Sequence, residues 1–292
     1  MGGTSIMQRE LYYKSSNKAN PLGLLSLLLI TVVAGSALSI LYLFLVQKIP
    51  SIKLSVLFTL VLGGVMGAIG GLAVSLFKIR YRTLAITVSV IGILIYTYVK
   101  WAAFASYVYE ESFTAILPEL LLDPSDLLSR VKEISEYGTW SFGRDGDAVK
   151  GIVLIIIWIL EFLIYAGLHL YVLGDKANDP FIEKDSKWAK KYDAKFYFRD
   201  FDVQSNLASI EKDPGFLLSY LETPENVTNT GHVEAEFFHS SDFSENYLDI
   251  NRIVITNAEK NSRDENKVIK KLSVSRDFVS NLLTKNGMSL PD

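Results

Sequence analysis

Residues Gly151–Leu173 read GIVLIIIWILEFLIYAGLHLYVL. The run is long enough to cross a bilayer, which takes about 20 apolar residues. Near its middle stands one carboxylate, Glu161, and about two turns later, on the same helical face, stands His169. A charged group at that depth is costly, so it normally turns toward other helices or toward water. The chain before this run is mostly apolar, and the chain after it has the composition of a soluble domain.

Working outward, three further apolar runs precede it, at 22–46, 54–77 and 83–108. The spacing predicts a four-span helical bundle over 22–175, with 151–173 as the last span. A polar segment, 1–21, comes before it, and a C-terminal α+β domain covers 176–292. A cleaved signal peptide is a poor reading of the first run, because the apolar residues continue through ILYLFLV. The start misses the myristoylation pattern, since Ile6 stands where Ser or Thr is wanted.

The charges are segregated. From Asp175 onward there are 16 Lys and Arg against 21 Asp and Glu, and the rest of the chain has 13 against 11. Arg9, Lys14, Lys18, Lys78, Arg80, Arg82 and the lysines after 176 fall on one side of a four-span topology. That asymmetry predicts both termini in the cytoplasm, with the protein in a bacterial inner membrane and the bilayer as its first partner. The chain has no cysteine, which excludes disulfides, thiolate catalysis and cysteine–zinc sites.

The second run holds Gly63, Gly67 and Gly71 at four-residue spacing, a groove for close helix packing. The groove suits packing within one subunit or, in a sharper reading, a seam between subunits. Lys100 lies near the far end of the third run. Its first reading is a side chain that snorkels to the interface. A pairing with Glu161 is the alternative, because the two lie at compatible depths. His169 reads first as an interfacial residue, and a proton relay is its sharper alternative.

Residues 109–150 form an acidic loop on the outer side. Within it Asp123–Pro124–Ser125–Asp126 starts a short amphipathic helix that ends at Gly138. In the C-terminal domain strands are expected at Lys195–Phe201, Val233–His239, Leu248–Ala258 and Lys267–Val274. A helical stretch is expected at Phe216–Leu221, and a last helix from Ser275 to about Lys285.

Lys184, Lys187, Trp188, Lys190, Lys191, Tyr192, Lys195, Phe196, Phe198 and Arg199 interleave basic and aromatic residues shortly after the last span. The plain reading is a solvated juxtamembrane helix. The sharper readings are contact with lipid headgroups and binding of a nucleotide or oligonucleotide through phosphate pairing and base stacking. A second basic group, Lys267, Lys270, Lys271 and Arg276, falls on the expected hairpin. His232 and His239 flank Glu234 and Glu236, but strand alternation does not bring both histidines to the glutamates' face. Neither a metal nor a cofactor is therefore expected. No glycine-rich phosphate loop, nucleophile elbow or zinc motif is found, so no enzyme is expected.

Gly138–Thr139–Trp140–Ser141, Gly151, Trp158–Ile159–Leu160–Glu161, Pro180–Phe181 and Trp188 resemble a group of uncharacterised bacterial four-span membrane proteins. In that group a Trp-x-x-Glu span precedes a Pro-Phe-Cys-x-x-Cys-x-x-Trp knuckle. Here Ile182 and Asp185 occupy the two cysteine positions, so zinc binding does not carry over. More loosely, a few spans followed by a small soluble domain look like the membrane effectors of anti-phage systems, among them the oligonucleotide-controlled channel of Hailong systems. These features together lead to the expectation of a homo-oligomeric, ligand-gated channel or pore effector in antiviral defence. The competing expectation is a non-conducting anchor whose soluble domain recruits a cytosolic protein.

Overall fold

The computed structural model describes residues 10–48, 52–109, 113–138, 148–227, 231–257 and 262–290. Thr139–Ser141 of the Gly-Thr-Trp-Ser motif, and part of the turn before Ser262, lie outside them. The chain forms two compact units. One is Ser16–Asn178, and the other joins the described residues up to Ser15 with those from Asp179 onward.

The first unit is helical: α1 (Pro21–Lys48), α2 (Ile52–Leu76), α3 (Arg82–Val108), α4 (Phe113–Leu122), α5 (Pro124–Tyr137) and α6 (Ile152–Lys176). Four of these, α1, α2, α3 and α6, are long and apolar enough to cross a membrane. Their large apolar side chains point outward, with Leu25, Leu29, Val61, Leu94, Ile159 and Leu163 each about half exposed. Their polar side chains, among them Thr31, Ser89, Lys100 and His169, are buried. A water-facing bundle has the opposite arrangement. This is a multi-pass membrane protein.

Local chemistry sets the helix ends. Asn20 accepts from the backbone of Leu22 at 3.1 Å, ahead of a first turn that opens on Pro21. Asp123 accepts from the backbone of Ser125 and Asp126 and starts α5, which stops at Gly138, at φ 84°. Helix α4 occupies part of what the sequence suggests is loop, and it carries Pro118 inside it. Leu120, Leu127 and Ile134 from α4 and α5 pack with Ala102, Phe104 and Ala105 of α3.

Within this unit α2 lies along α6, and α1 along α3. The glycine groove faces α6. A Cβ on Gly63 would stand 2.9 Å from the Tyr165 backbone, and one on Gly67 would stand 2.7 Å from Val172 Cβ. Gly71 is looser, 3.4 Å from Lys176 Cβ. The groove thus packs two helices of the same chain. A second close approach joins α1 to α3, where Gly35 lies under the Tyr96 ring and Gly92 lies against Thr31.

The second unit contains strands β1 (Phe181–Ile182), β2 (Lys187–Trp188), β3 (Lys190–Lys191), β4 (Phe196–Arg199), β5 (Leu221–Glu222), β6 (His232–His239), β7 (Asn246–Asn257) and β8 (Ser262–Val274). The main sheet runs β5-β4-β6-β7-β8, with β3 also pairing to β6, and every pairing is antiparallel. Helices α7 (Leu207–Lys212), α8 (Pro224–Val227) and α9 (Arg276–Lys285) and a 3-10 turn at Pro214–Ser219 complete it. That 3-10 turn overlaps the helical stretch expected at Phe216–Leu221, opened by Pro214 and by Asp213 accepting from the Gly215 backbone.

Alternation gives the sheet one apolar face. Phe196, Phe198, Val233, Ala235, Phe237, Leu248 and Ile250 pack with Phe278, Val279, Leu282 and Leu283 of α9. On the other face a bulge in β8 sets Lys271 at φ 56° and aims its N–H at Asp249, 2.7 Å away.

The N-terminal segment is not a separate tail. Tyr12 bridges to Leu272, Tyr13 donates its N–H to the Lys271 carbonyl at 2.9 Å, and Leu11 accepts from Ser273 at 2.8 Å. The Tyr12 hydroxyl donates to Glu211 at 2.5 Å. The Tyr13 oxygen accepts from the Phe181 backbone at 3.1 Å. This strap covers the free edge of β8.

Candidate functional site

The site lies inside the helical unit, where α3 and α6 each present a polar stripe. Tyr96 and Lys100 are four residues apart on α3, and Glu161, Tyr165 and His169 are four apart on α6. Each set therefore falls on one helical face.

Lys100 is only 6% exposed. Its side chain turns inward, where the snorkelling reading would send it to the surface. Its Nζ lies 5.1 Å from the ring centroid of Tyr42, 5.1 Å from that of Tyr165 and 5.9 Å from that of Trp101. Glu161 is its electrostatic partner. Tyr42 lies 3.3 Å from Thr59 of α2, and Thr59 donates to the Ser55 carbonyl at 2.8 Å. The Tyr165 hydroxyl meets Thr97 at 2.7 Å. An ammonium this far from water is stabilised by a carboxylate and by ring faces together. All four long helices contribute to the cluster.

His169 is fully buried inside the helical unit. Its ring lies nearly parallel to Tyr96, with centroids 6.5 Å apart, and Tyr96 is 6.0 Å from Tyr165. A Cβ on Gly70 would come within 3.3 Å of its Nε2. The glycines of α2 thus make room for the imidazole. Among the described residues, neither His169 ring nitrogen nor the Tyr96 hydroxyl has a hydrogen-bond partner.

The basic and aromatic cluster after the last span forms short strands where the plain reading expects a helix, and Lys184, Lys191 and Lys195 in it meet the chain's own carboxylates. Lys184 bonds Asp242 at 2.7 Å, Lys191 bonds Glu236 at 2.8 Å and Lys195 bonds Glu234 at 2.6 Å. Tyr192 stacks on Phe237 at 4.6 Å, and Trp188 meets Phe181 edge-on. Arg199 lies over Tyr220 and donates to the Ser219 carbonyl at 3.2 Å. Lys187 and Lys190 are on β2 and β3.

The hydrogen bond to Glu234 is the main cause that holds the Lys195 ammonium above its ordinary range. Burial pushes the Glu234 carboxyl up, but Lys195 and His232 outweigh it, and the net direction is down. His232 shares the Glu234 face at 3.2 Å, whereas His239 stacks on Phe243 with centroids 4.1 Å apart. Lys267 and Lys271 of the second basic group converge on the buried Asp249, at 2.9 and 3.0 Å.

Sequence reasoning singled out Glu161, Lys100 and His169 but not the tyrosines that surround them. Tyr165 between Glu161 and His169, and Tyr96 one turn before Lys100, are the signals that carry them. No protein-family model matches the chain, and neither a curated protein nor a solved structure matches it.

Proposed function

We propose that this protein is a homo-oligomeric, channel-type membrane effector whose four-span unit carries a conduction path governed by Lys100 and Glu161, with the soluble unit as its regulator. One observation carries the reading: Lys100 is buried among the rings of Tyr42, Trp101 and Tyr165, inside the apolar helices, with Glu161 as its electrostatic partner. Charged groups in such a place are expensive, and they mark pathways more often than packing. With Glu161 acting electrostatically on Lys100 of its own chain, the path in this reading runs through each bundle. A ring of carboxylates around an oligomer axis is the less favoured arrangement.

The proposed location is a bacterial inner membrane with both termini cytoplasmic. The strap supports a common side for the termini, since the segment before α1 completes the sheet that comes after α6. The Lys and Arg asymmetry supports the cytoplasmic choice. The anti-phage setting and an anionic regulator, nucleotide or oligonucleotide, remain part of the proposal and rest on the resemblance and on the local basic and aromatic cluster at 184–199.

A second reading, a non-conducting anchor for a soluble interaction domain, is favoured by a different observation. The glycine groove is used up between α2 and α6. The test is ion flux through proteoliposomes of the full chain. Flux that Glu161→Gln alters without loss of assembly supports conduction. Proteoliposomes that stay tight to every ion leave the anchor reading in its place.

A further inference from the structure

The polar stripe does not end at the charge pair. Glu161 and His169 are eight residues apart on one face of α6, about 12 Å along the axis. Tyr165 stands between them, its hydroxyl on Thr97 at 2.7 Å. Tyr96 stands beside both Tyr165 and His169. Beyond them Ser89 on α3, and Thr31 and Ser39 on α1, are buried too. The hydroxyls of Thr31, Ser39, Ser89 and Tyr96 and both nitrogens of His169 have no hydrogen-bond partner among the described residues.

Protein interiors satisfy nearly all of their buried polar atoms. Five side chains left over in one helical unit, set along faces that meet, call for a common partner. Internal water is the partner of that size, since each molecule makes two to four hydrogen bonds to such groups.

We propose that water threads this interior as a proton path that joins the Lys100–Glu161 end to His169, with His169 as the proton-carrying group. The inference rests on the conduction reading and names its permeant. Size is the reason for choosing the proton. Gly63 brings α2 to backbone contact with Tyr165, and Gly35 lies against the Tyr96 ring. Helices in such close contact argue against a path as wide as a hydrated alkali ion, whereas a proton needs only single waters at the unpartnered groups. The chemistry balances on the imidazole alone. A proton arrives at one ring nitrogen from water, the other nitrogen gives its proton to the next water, and the ring is left as its other neutral tautomer. A ring flip restores it. The groups facing His169 are Tyr165 on its own helix, Tyr96 on α3 and the glycines Gly67 and Gly70 on α2. Farther toward the same end, Arg82 approaches Gly174, and Lys176 approaches Gly71.

Two measurements on the full chain in proteoliposomes test this. The first is proton flux, read by a trapped pH dye under a potassium gradient with valinomycin. The second is water-to-histidine magnetisation transfer in solid-state NMR of 15N-histidine protein. The chain has three histidines, so His169→Phe assigns its signal. The expected result is a water contact at His169, with a proton flux that falls about 10-fold or more in His169→Phe. Tyr96→Phe, which keeps the ring, is expected to lower the flux as well. Flux of potassium or chloride without protons, a dry His169, or a proton flux indifferent to His169→Phe overturns this inference and leaves conduction standing. Liposomes tight to every ion overturn both.

Discussion

The Lys100 ammonium lies 5.1 Å from the centre of the Tyr165 ring, and the hydroxyl of that ring is held by Thr97, three residues before Lys100 on the same helix. The cation and the ring that faces it are therefore set by one stretch of α3. Tyr165→Phe keeps the ring and loses the hydrogen bond, at a cost of about 1 kcal/mol. Tyr165→Leu loses the ring face as well and is expected to cost more. Thermal unfolding of the detergent-purified protein checks the order.

Lys100 and Glu161 are expected to act as a coupled pair. Lys100→Met leaves a carboxylate facing Tyr42 without its cation, and Glu161→Gln leaves the cation without its carboxylate. Each single change destabilises, and the double change restores part of the loss, giving a coupling of about 1 kcal/mol or more. Additive melting shifts across the four proteins would show that the two side chains do not depend on each other.

The glycine groove predicts a graded series. Gly63→Ala drives a methyl into the Tyr165 backbone, which cannot yield, and is expected to destabilise by about 1–3 kcal/mol. Gly64→Ala, whose Cβ would meet only Leu168 at 3.8 Å, is expected to be nearly silent. Gly167, with open space around a Cβ, serves as the neutral control. Equal effects at 63 and 64 would mean that α2 and α6 do not approach so closely.

In the strand-rich unit, acid should loosen β6 before base does. The Glu234 carboxyl is held below its ordinary 4.5, so its contribution is present above that value and is lost as pH falls through the folded pKa. Lys195 is held above its ordinary 10.5, so its contribution persists below 10.5 and is lost only as pH rises past it. The pair is therefore intact between those limits. His239, pushed down by burial, adds to the acid side, because its neutral form is the one the fold prefers. Hydrogen exchange of the peptide that spans 232–239 in the full protein should quicken as pH falls below about 4.5, after correction for the intrinsic rate. Glu234→Gln should flatten that limb.

Removing the strap should expose one edge alone. With Leu11, Tyr12 and Tyr13 deleted, the amide of Ser273 loses its acceptor. Its exchange is expected to rise while the amides of β6 stay protected. Tyr12→Phe tests one anchor of the strap. Burial and then Glu211 hold the Tyr12 phenol up at about 12, so it remains a donor across the neutral range.

The spans were legible because an unbroken apolar run of bilayer length has few other uses. Helices α5 and α9 were legible because Asp123 and Ser275 cap them locally, Ser275 accepting from the Phe278 backbone at 3.1 Å. What escaped was long-range. Lys191 and Lys195 look like a basic helix face until β6 supplies Glu236 and Glu234 opposite them. Helix α4 was hidden by Pro118, which in isolation argues for a loop. Tyr42 and Tyr96 gave no sign of enclosing Lys100 and His169, because the residues that meet there come from different spans. The pairing of Tyr12 with Leu272 joins two segments so distant that no local pattern announces it.

The strap also orders events during synthesis. Leu11–Tyr13 is made before the four apolar helices, and the strand it pairs with, β8, is made after them. Four apolar helices must be inserted into the bilayer while that segment waits unpaired, and the sheet edge closes only once β8 has been made. A nascent chain arrested before Ser262 should therefore leave Leu11–Tyr13 open to protease, and synthesis through β8 should bury them.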